Sequence, residues 1–134
     1  MMNTKILMTS TSLILAAAGI FALFAPDTLL TRLKIPLADS PLVLVQLMGA
    51  LYFSFALMNW TAKDSAIGGI YARPVSLGNF SHFLSGALLL AKYQLSHEFS
   101  LPGFLALAIY AVFASLFYWL VFRATGIVVS KSAE

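Results

Sequence analysis

Four stretches of this chain are long and apolar enough to cross a bilayer, and that constrains its fold more than any motif does. Ile6 to Ala25, Pro41 to Trp60, Pro74 to Ala91 and Leu101 to Phe122 run 20, 20, 18 and 22 residues without an Asp, Glu, Lys or Arg, and together occupy 80 of the 134 residues. A helix of about 20 apolar residues covers the hydrocarbon core, where only helices and closed barrels satisfy every backbone polar group. The short connections make consecutive helices antiparallel neighbours. The expectation is an all-α protein, a transmembrane four-helix up-down-up-down bundle, built as a single integral membrane domain over residues 1–134.

Composition removes several function classes. The chain is 60% hydrophobic and 10% charged, with mean hydropathy +0.91, whereas soluble domains carry about 25% charge. Its longest connections, Pro26 to Ser40 and Thr61 to Arg73, have 15 and 13 residues, and the tail from Arg123 has 12. None can hold a separate aqueous catalytic module. The net charge of +3 is scattered over helix ends and short loops, which reads as a topology signal and leaves no basic strip for nucleic acid. With four crossings, Lys5, Lys63, Arg73, Arg123 and Lys131 share one side and Arg32, Lys34 and Lys92 the other. That bias places both termini in the cytoplasm. Cysteine is absent, so disulfides, thiolate nucleophiles and thiolate metal sites are excluded. The Lys5, apolar, Ala16-Ala17-Ala18 pattern is similar to a secretory signal, but the apolar run continues through Phe24 and is long enough to span.

Helix punctuation follows the same runs. Ser40-Pro41 offers an N-cap with proline at the first helical position, Arg73-Pro74 opens the third span, and Ser100-Leu101-Pro102 caps the fourth. Between the first two spans, Leu29, Leu30 and Leu33 fall on one stripe with Arg32 and Lys34 off it, the pattern of a short interfacial helix. Gly68-Gly69 marks a turn in the next connection, with Ile67, Ile70 and Tyr71 dipping into the headgroups. Trp60, Tyr71, Tyr93, Tyr118 and Trp119 sit at span ends, where an aromatic belt belongs. Small residues, among them Gly49, Ala50, Ser81 with Ser85, Ala87 with Ala91, Gly103, Ala106, Ala111 and Ala114, allow close helix contact.

Polar residues inside the spans are few, and their placement carries what chemistry the sequence offers. Gln46, Tyr52 and Asn59 lie on the second span. Asn79 and His82 lie on the third, on a stripe with Gly86 and Tyr93, and Arg73 stands at its rim. Tyr52 and His82 each sit about 12 Å inside the same end of their helices. The six residues Gln46, Tyr52, Asn59, Arg73, Asn79 and His82 are therefore the candidate polar cluster or ligand-binding position, with His82 foremost because ionisable groups at that depth face an interior or a cavity. The structural reading competes directly: a neutral imidazole bonded to Asn79, Tyr52 or a carbonyl is a packing residue. No carboxylate lies inside a span, so a proton-coupled exchanger lacks its essential acid. His97 belongs to the opposite rim, and no HxxxH, HExxH, GxSxG or phosphate-loop spacing occurs, so no metal site and no catalytic residue is expected, and no cofactor.

Gln46-Leu47-Met48-Gly49-Ala50-Leu51-Tyr52-Phe53 with Asn59-Trp60, Tyr71-Ala72-Arg73-Pro74, Asn79-Phe80-Ser81-His82-Phe83 and the Phe24-Ala25-Pro26-Asp27 exit resemble blocks of small bacterial four-helix membrane proteins. Over most of its length the chain is loosely similar to the DoxX-like group, without a diagnostic motif. The resemblance implies a bacterial inner-membrane bundle and, for that group, redox-linked accessory roles beside other membrane or quinone-using proteins. Two functions are expected from the residues. The first is a non-catalytic accessory or scaffold subunit, or a homo-oligomer, joined through small-residue faces. The second is a binder of a lipidic small molecule (quinone, isoprenoid or lipid) between the second and third spans, walled by Tyr52, Phe53, Phe80 and Phe83. The partners implied are the bilayer, a membrane protein or second copy, and a lipidic ligand.

Overall fold

Long apolar runs give long helices. The computed structural model describes residues 4–33, 35–37, 39–64 and 72–122, and its elements are α1 (Thr4–Phe24), α2 (Pro26–Arg32), α3 (Asp39–Ala62), α4 (Ala72–Ser96) and α5 (Leu101–Phe122), with no strand among the described residues. Thr4–Phe24, Pro41–Ala62 and Leu101–Phe122 are long and apolar enough to cross a membrane. The all-helical membrane class follows. The fourth expected crossing is not among these three: α4 has the length, 25 residues, but Ser76, Asn79, Ser81, His82 and Ser85 dilute its apolar run.

The helices fall into two units, residues 1–64 and 65–134. In the first, α1 and α3 pack along their length with α2 against both. The buried face of α1 carries Thr4, Leu7, Met8, Thr11, Ser12, Leu15, Gly19 and Ala22, spaced by threes and fours as a helix stripe must be. The pairing is antiparallel. Lys5 Nζ meets Asp64 Oδ1 at 2.7 Å, Ser12 Oγ donates to the Ala56 carbonyl at 2.8 Å, and Gly19 lies on Gly49, so numbers rise on one helix as they fall on the other. Gly19 and Gly49 bring the backbones together. A Cβ on Gly19 would stand 2.7 Å from the Phe53 nitrogen and 2.8 Å from the Gly49 carbonyl oxygen, and backbone cannot yield as a side chain can.

The short helix expected around Leu29 to Leu33 is α2. Pro26 begins it at the position where a missing N–H costs nothing, and Asp27 and Arg32 sit at the ends that suit their charges. Its Leu30 is buried, 2% exposed. α3 is described from Asp39, and the side chain of Ser40, the expected cap, lies outside the described residues. An acidic first residue complements the helix dipole there. At the other end of α3, Lys63 Nζ lies 3.0 Å over the Trp60 ring. The Gly68-Gly69 turn with Ile67, Ile70 and Tyr71, together with Lys34, Arg123 and Lys131, lies outside the described residues.

In the second unit α4 and α5 form an antiparallel pair with an aromatic core. Phe83 and Phe117 are 1% and 0% exposed. Phe83 stacks on Phe113 and Phe117, with centroids 5.0 and 5.9 Å away, and takes the edge of Tyr110 at 5.3 Å. Where both surroundings are apolar, such dispersion contacts hold helices together in place of a hydrophobic driving force. The connection is stitched by Gln94, whose Nε2 donates to the Ser100 carbonyl at 3.1 Å. Ser100 Oγ accepts from the Gly103 N–H at 3.3 Å, which is the cap expected from Ser100-Leu101-Pro102. α4 begins before Pro74 and runs past Ala91 to Ser96, because an apolar run marks lipid contact and a helix continues through the interface beyond it.

Candidate functional site

Of the six candidate residues, Gln46, Tyr52 and Asn59 stand on α3 in the first unit, and Arg73, Asn79 and His82 on α4 in the second. Gln46 is exposed and its Nε2 reaches across to the Leu23 carbonyl on α1 at 3.4 Å. Thirteen positions separate it from Asn59, about 20 Å of helix, so these two serve different depths. Tyr52 is half-buried, and Arg73 is exposed in the first turn of α4.

Asn59 and Asn79 share a geometry. Each is 0% exposed, and each donates Nδ2–H to the carbonyl four residues back, Phe55 and Val75 respectively, at 2.8 Å. One N–H of each amide is thus engaged on its own helix.

His82 is half-buried, and its Nε2 lies 3.5 Å from the Tyr110 hydroxyl on α5. The rings approach to 5.6 Å between centroids, tilted by 48°. Gly86, one turn further along the His82 stripe, makes this possible: a Cβ there would meet Tyr110 ring carbons at 2.3 and 2.4 Å. The missing side chain is a seat for the ring. Tyr110 was not apparent as a site residue in the sequence, where it is one aromatic in an apolar run. The available signal was Gly86 on the Asn79–His82 stripe, a gap that some large side chain must fill.

A recess lies elsewhere in this unit. Phe80, Leu84, Ala114, Ser115 and Tyr118 line an open, mostly apolar groove of about 380 Å³ on the seam between α4 and α5. Phe80 and Leu84 are each two positions from His82, about 200° around the helix, so groove and imidazole lie on opposite flanks of α4. His97 stacks on Tyr93 at 4.2 Å and takes the Tyr93 carbonyl at 3.1 Å on Nδ1. It is fifteen positions from His82, about 22 Å along the axis.

No protein-family model matches the chain, and neither a curated protein nor a solved structure matches it.

Proposed function

We propose that the protein is a non-catalytic accessory subunit of a membrane, joined to another membrane protein or to copies of itself through the outward face of α4. The observation that carries this reading is the state of two hydroxyls. In the helices Ser10, Thr11, Thr31, Ser54, Ser96 and Ser115 each donate to the carbonyl four residues back. Ser81 and Ser85, exposed and one turn apart, make no hydrogen bond to any described residue. They belong to a stripe that runs Pro74, Gly78, Ser81, Ser85, Leu88, Lys92 at helical spacing, small in its first half. Small residues let a second backbone approach, and hydroxyls donated between helices are worth about 0.6 kcal/mol each in lipid.

α4 is also the helix that lipid solvates worst. It carries the buried Asn79, the half-buried His82 and the two exposed serines, and it spans about 37 Å, enough to cross. A polar crossing of that kind favours protein over acyl chains as its neighbour. On this reading α4 is the fourth crossing, the membrane is a bacterial inner membrane, and both termini are cytoplasmic. Several other small residues are occupied within their own units: Gly19 and Gly49 against each other, Gly86 under Tyr110, Ala114 buried in the α4–α5 seam.

Native mass spectrometry from mild detergent, with cross-linking in the membrane beforehand, tests the reading. A stoichiometric partner or a defined oligomer is expected. A strictly monomeric protein with nothing cross-linked to it contradicts the proposal.

A further inference from the structure

Arg73, Phe80 and Leu84 share one face of α4, because steps of seven and eleven residues each return to within about 20° of the starting direction. Phe80 and Leu84 line the groove on the α4–α5 seam, with Ala114, Ser115 and Tyr118 of α5 across from them. Phe80, Tyr118 and Phe122 form an aromatic cluster toward the end of the seam, with centroids 5.8, 5.7 and 5.0 Å apart. The apolar span of α5 finishes there, at Phe122. Phe80 meets Tyr118 and Phe122, and Phe83 meets Phe117, so Arg73, seven positions before Phe80, lies about 6 Å beyond the end of that span. A headgroup layer is about 5 to 8 Å deep on each side of the hydrocarbon, and Arg73 falls within it. Side chains lean toward a helix N-terminus, which here carries the guanidinium outward to the level of lipid phosphate. Arg73 is exposed and makes no ion pair among the described residues. The described acid of this unit, Glu98, is at the opposite end of both helices.

We infer that this flank of the α4–α5 pair binds a phospholipid of net negative charge, with one acyl chain in the groove and the phosphate paired with Arg73. The groove is open and mostly apolar, and the Ser115 hydroxyl is engaged on the Ala111 carbonyl, so the lining suits hydrocarbon and offers little to a polar solute. Its volume of about 380 Å³ is near the lower end for small-molecule sites. Cation, aromatic rings and aliphatic recess follow one another inward along the helix axes, in the order of a lipid's own phosphate and chain. A zwitterionic lipid fills the groove equally well but carries a cation that competes with Arg73, so selectivity for the anionic lipid rests on the guanidinium. Ser81 and Ser85 lie about 100° around α4 from Arg73, so the lipid position is independent of what covers that outward face.

The test uses the full chain in phosphatidylcholine liposomes carrying a trace of phospholipid with a photoactivatable diazirine in its acyl chain, either phosphatidylglycerol or phosphatidylcholine, and maps the adducts by mass spectrometry. The glycerol lipid should label Leu84, Ser115 and Tyr118 about fivefold more than the choline lipid does, the worth of one basic residue at a membrane surface. Arg73→Gln should abolish that preference while choline-lipid labelling of the groove stays at its parent level, and Arg73→Lys should keep it. Lys92→Gln removes a charge at the other end of α4 and should change nothing. Excess glycerol 3-phosphate should not compete, because without a chain it has no hold on the groove. Equal labelling of the groove by the two lipids overturns the inference, as does a preference that survives Arg73→Gln or is lost in Lys92→Gln. Labelling by the glycerol lipid that is no stronger in the groove than at the exposed Ile109 and Val112 of α5 also overturns it. Competition by glycerol 3-phosphate would make Arg73 a site for free phosphate and would equally overturn it.

Discussion

Gly19 and Gly49 meet backbone to backbone where α1 crosses α3: a Cβ on Gly49 would stand 2.8 Å from the Leu23 nitrogen and 2.9 Å from the Gly19 carbonyl oxygen. Gly→Ala inside a helix normally gains up to about 1 kcal/mol from propensity. Here the added methyl must push two helix backbones apart, which costs about 1 to 3 kcal/mol. Gly19→Ala and Gly49→Ala should therefore each lower stability by about 1 to 2 kcal/mol in detergent unfolding, whereas Ala18→Leu, on the exposed side of α1, should leave it unchanged. Stabilisation by either alanine would contradict the crossing.

That contact also marks how far the sequence could be read. The runs around α1, α3 and α5 were legible because a charge-free stretch of about 20 residues has few other physical solutions. α2 was legible from the leucine stripe, and the Ser100 cap from local chemistry. Gly19 was not, since nothing local distinguishes a glycine in an apolar run from one that meets another backbone. Tyr110 was missed for a related reason. The sequence set His82 beside Tyr52 by depth; its contact with Tyr110 on α5 depends also on the rotation of α4 about its own axis, which depth does not give.

Phe83 tests the second unit. Its ring contacts Tyr110, Phe113 and Phe117, and Phe83→Ala removes all three contacts and leaves a gap in this core. In water-soluble cores Phe→Ala costs about 3 to 5 kcal/mol, part of it transfer from water. Lipid does not supply that part, so about 2 to 3 kcal/mol is expected, read as a lower melting temperature. An unchanged melting temperature would show that α4 and α5 do not rely on this core.

Lys5 and Asp64 tie the N-terminal turn of α1 to the end of α3. The Lys5 hydrogen bond holds the Asp64 carboxyl below the usual aspartate range against an opposing desolvation, with weaker coulombic help from Lys5 and Lys63. A depressed folded-state pKa contributes stability above the unfolded value, and that contribution disappears as pH falls through the folded value. Both side chains are more than 60% exposed, so the pair is screened and weak. Asp64→Asn should leave the melting temperature at pH 7 within experimental error and remove only a shallow loss seen below about pH 4. A large loss at pH 7 would contradict this.

The proposed topology has both termini in the cytoplasm and Arg32, Lys34 and Lys92 outside. An export-dependent reporter fused to the C-terminus should stay inactive, and one inserted between Ser96 and Ser100 should be active. The reverse pattern would invert the orientation. Activity at both positions would remove α5 as a crossing.

The central claim, that the outward face of α4 is covered by protein, is tested most directly by site-specific photocrosslinking in the native membrane. The chain has no cysteine, so a maleimide benzophenone can be attached singly at Ser81→Cys, at Ser85→Cys and, as a lipid-facing comparison, at Val112→Cys, whose native side chain is 56% exposed on α5. Probes at the two serine positions should yield one discrete protein adduct, the same for both, and the Val112 position only lipid adducts. Lipid adducts alone at all three positions would contradict the account.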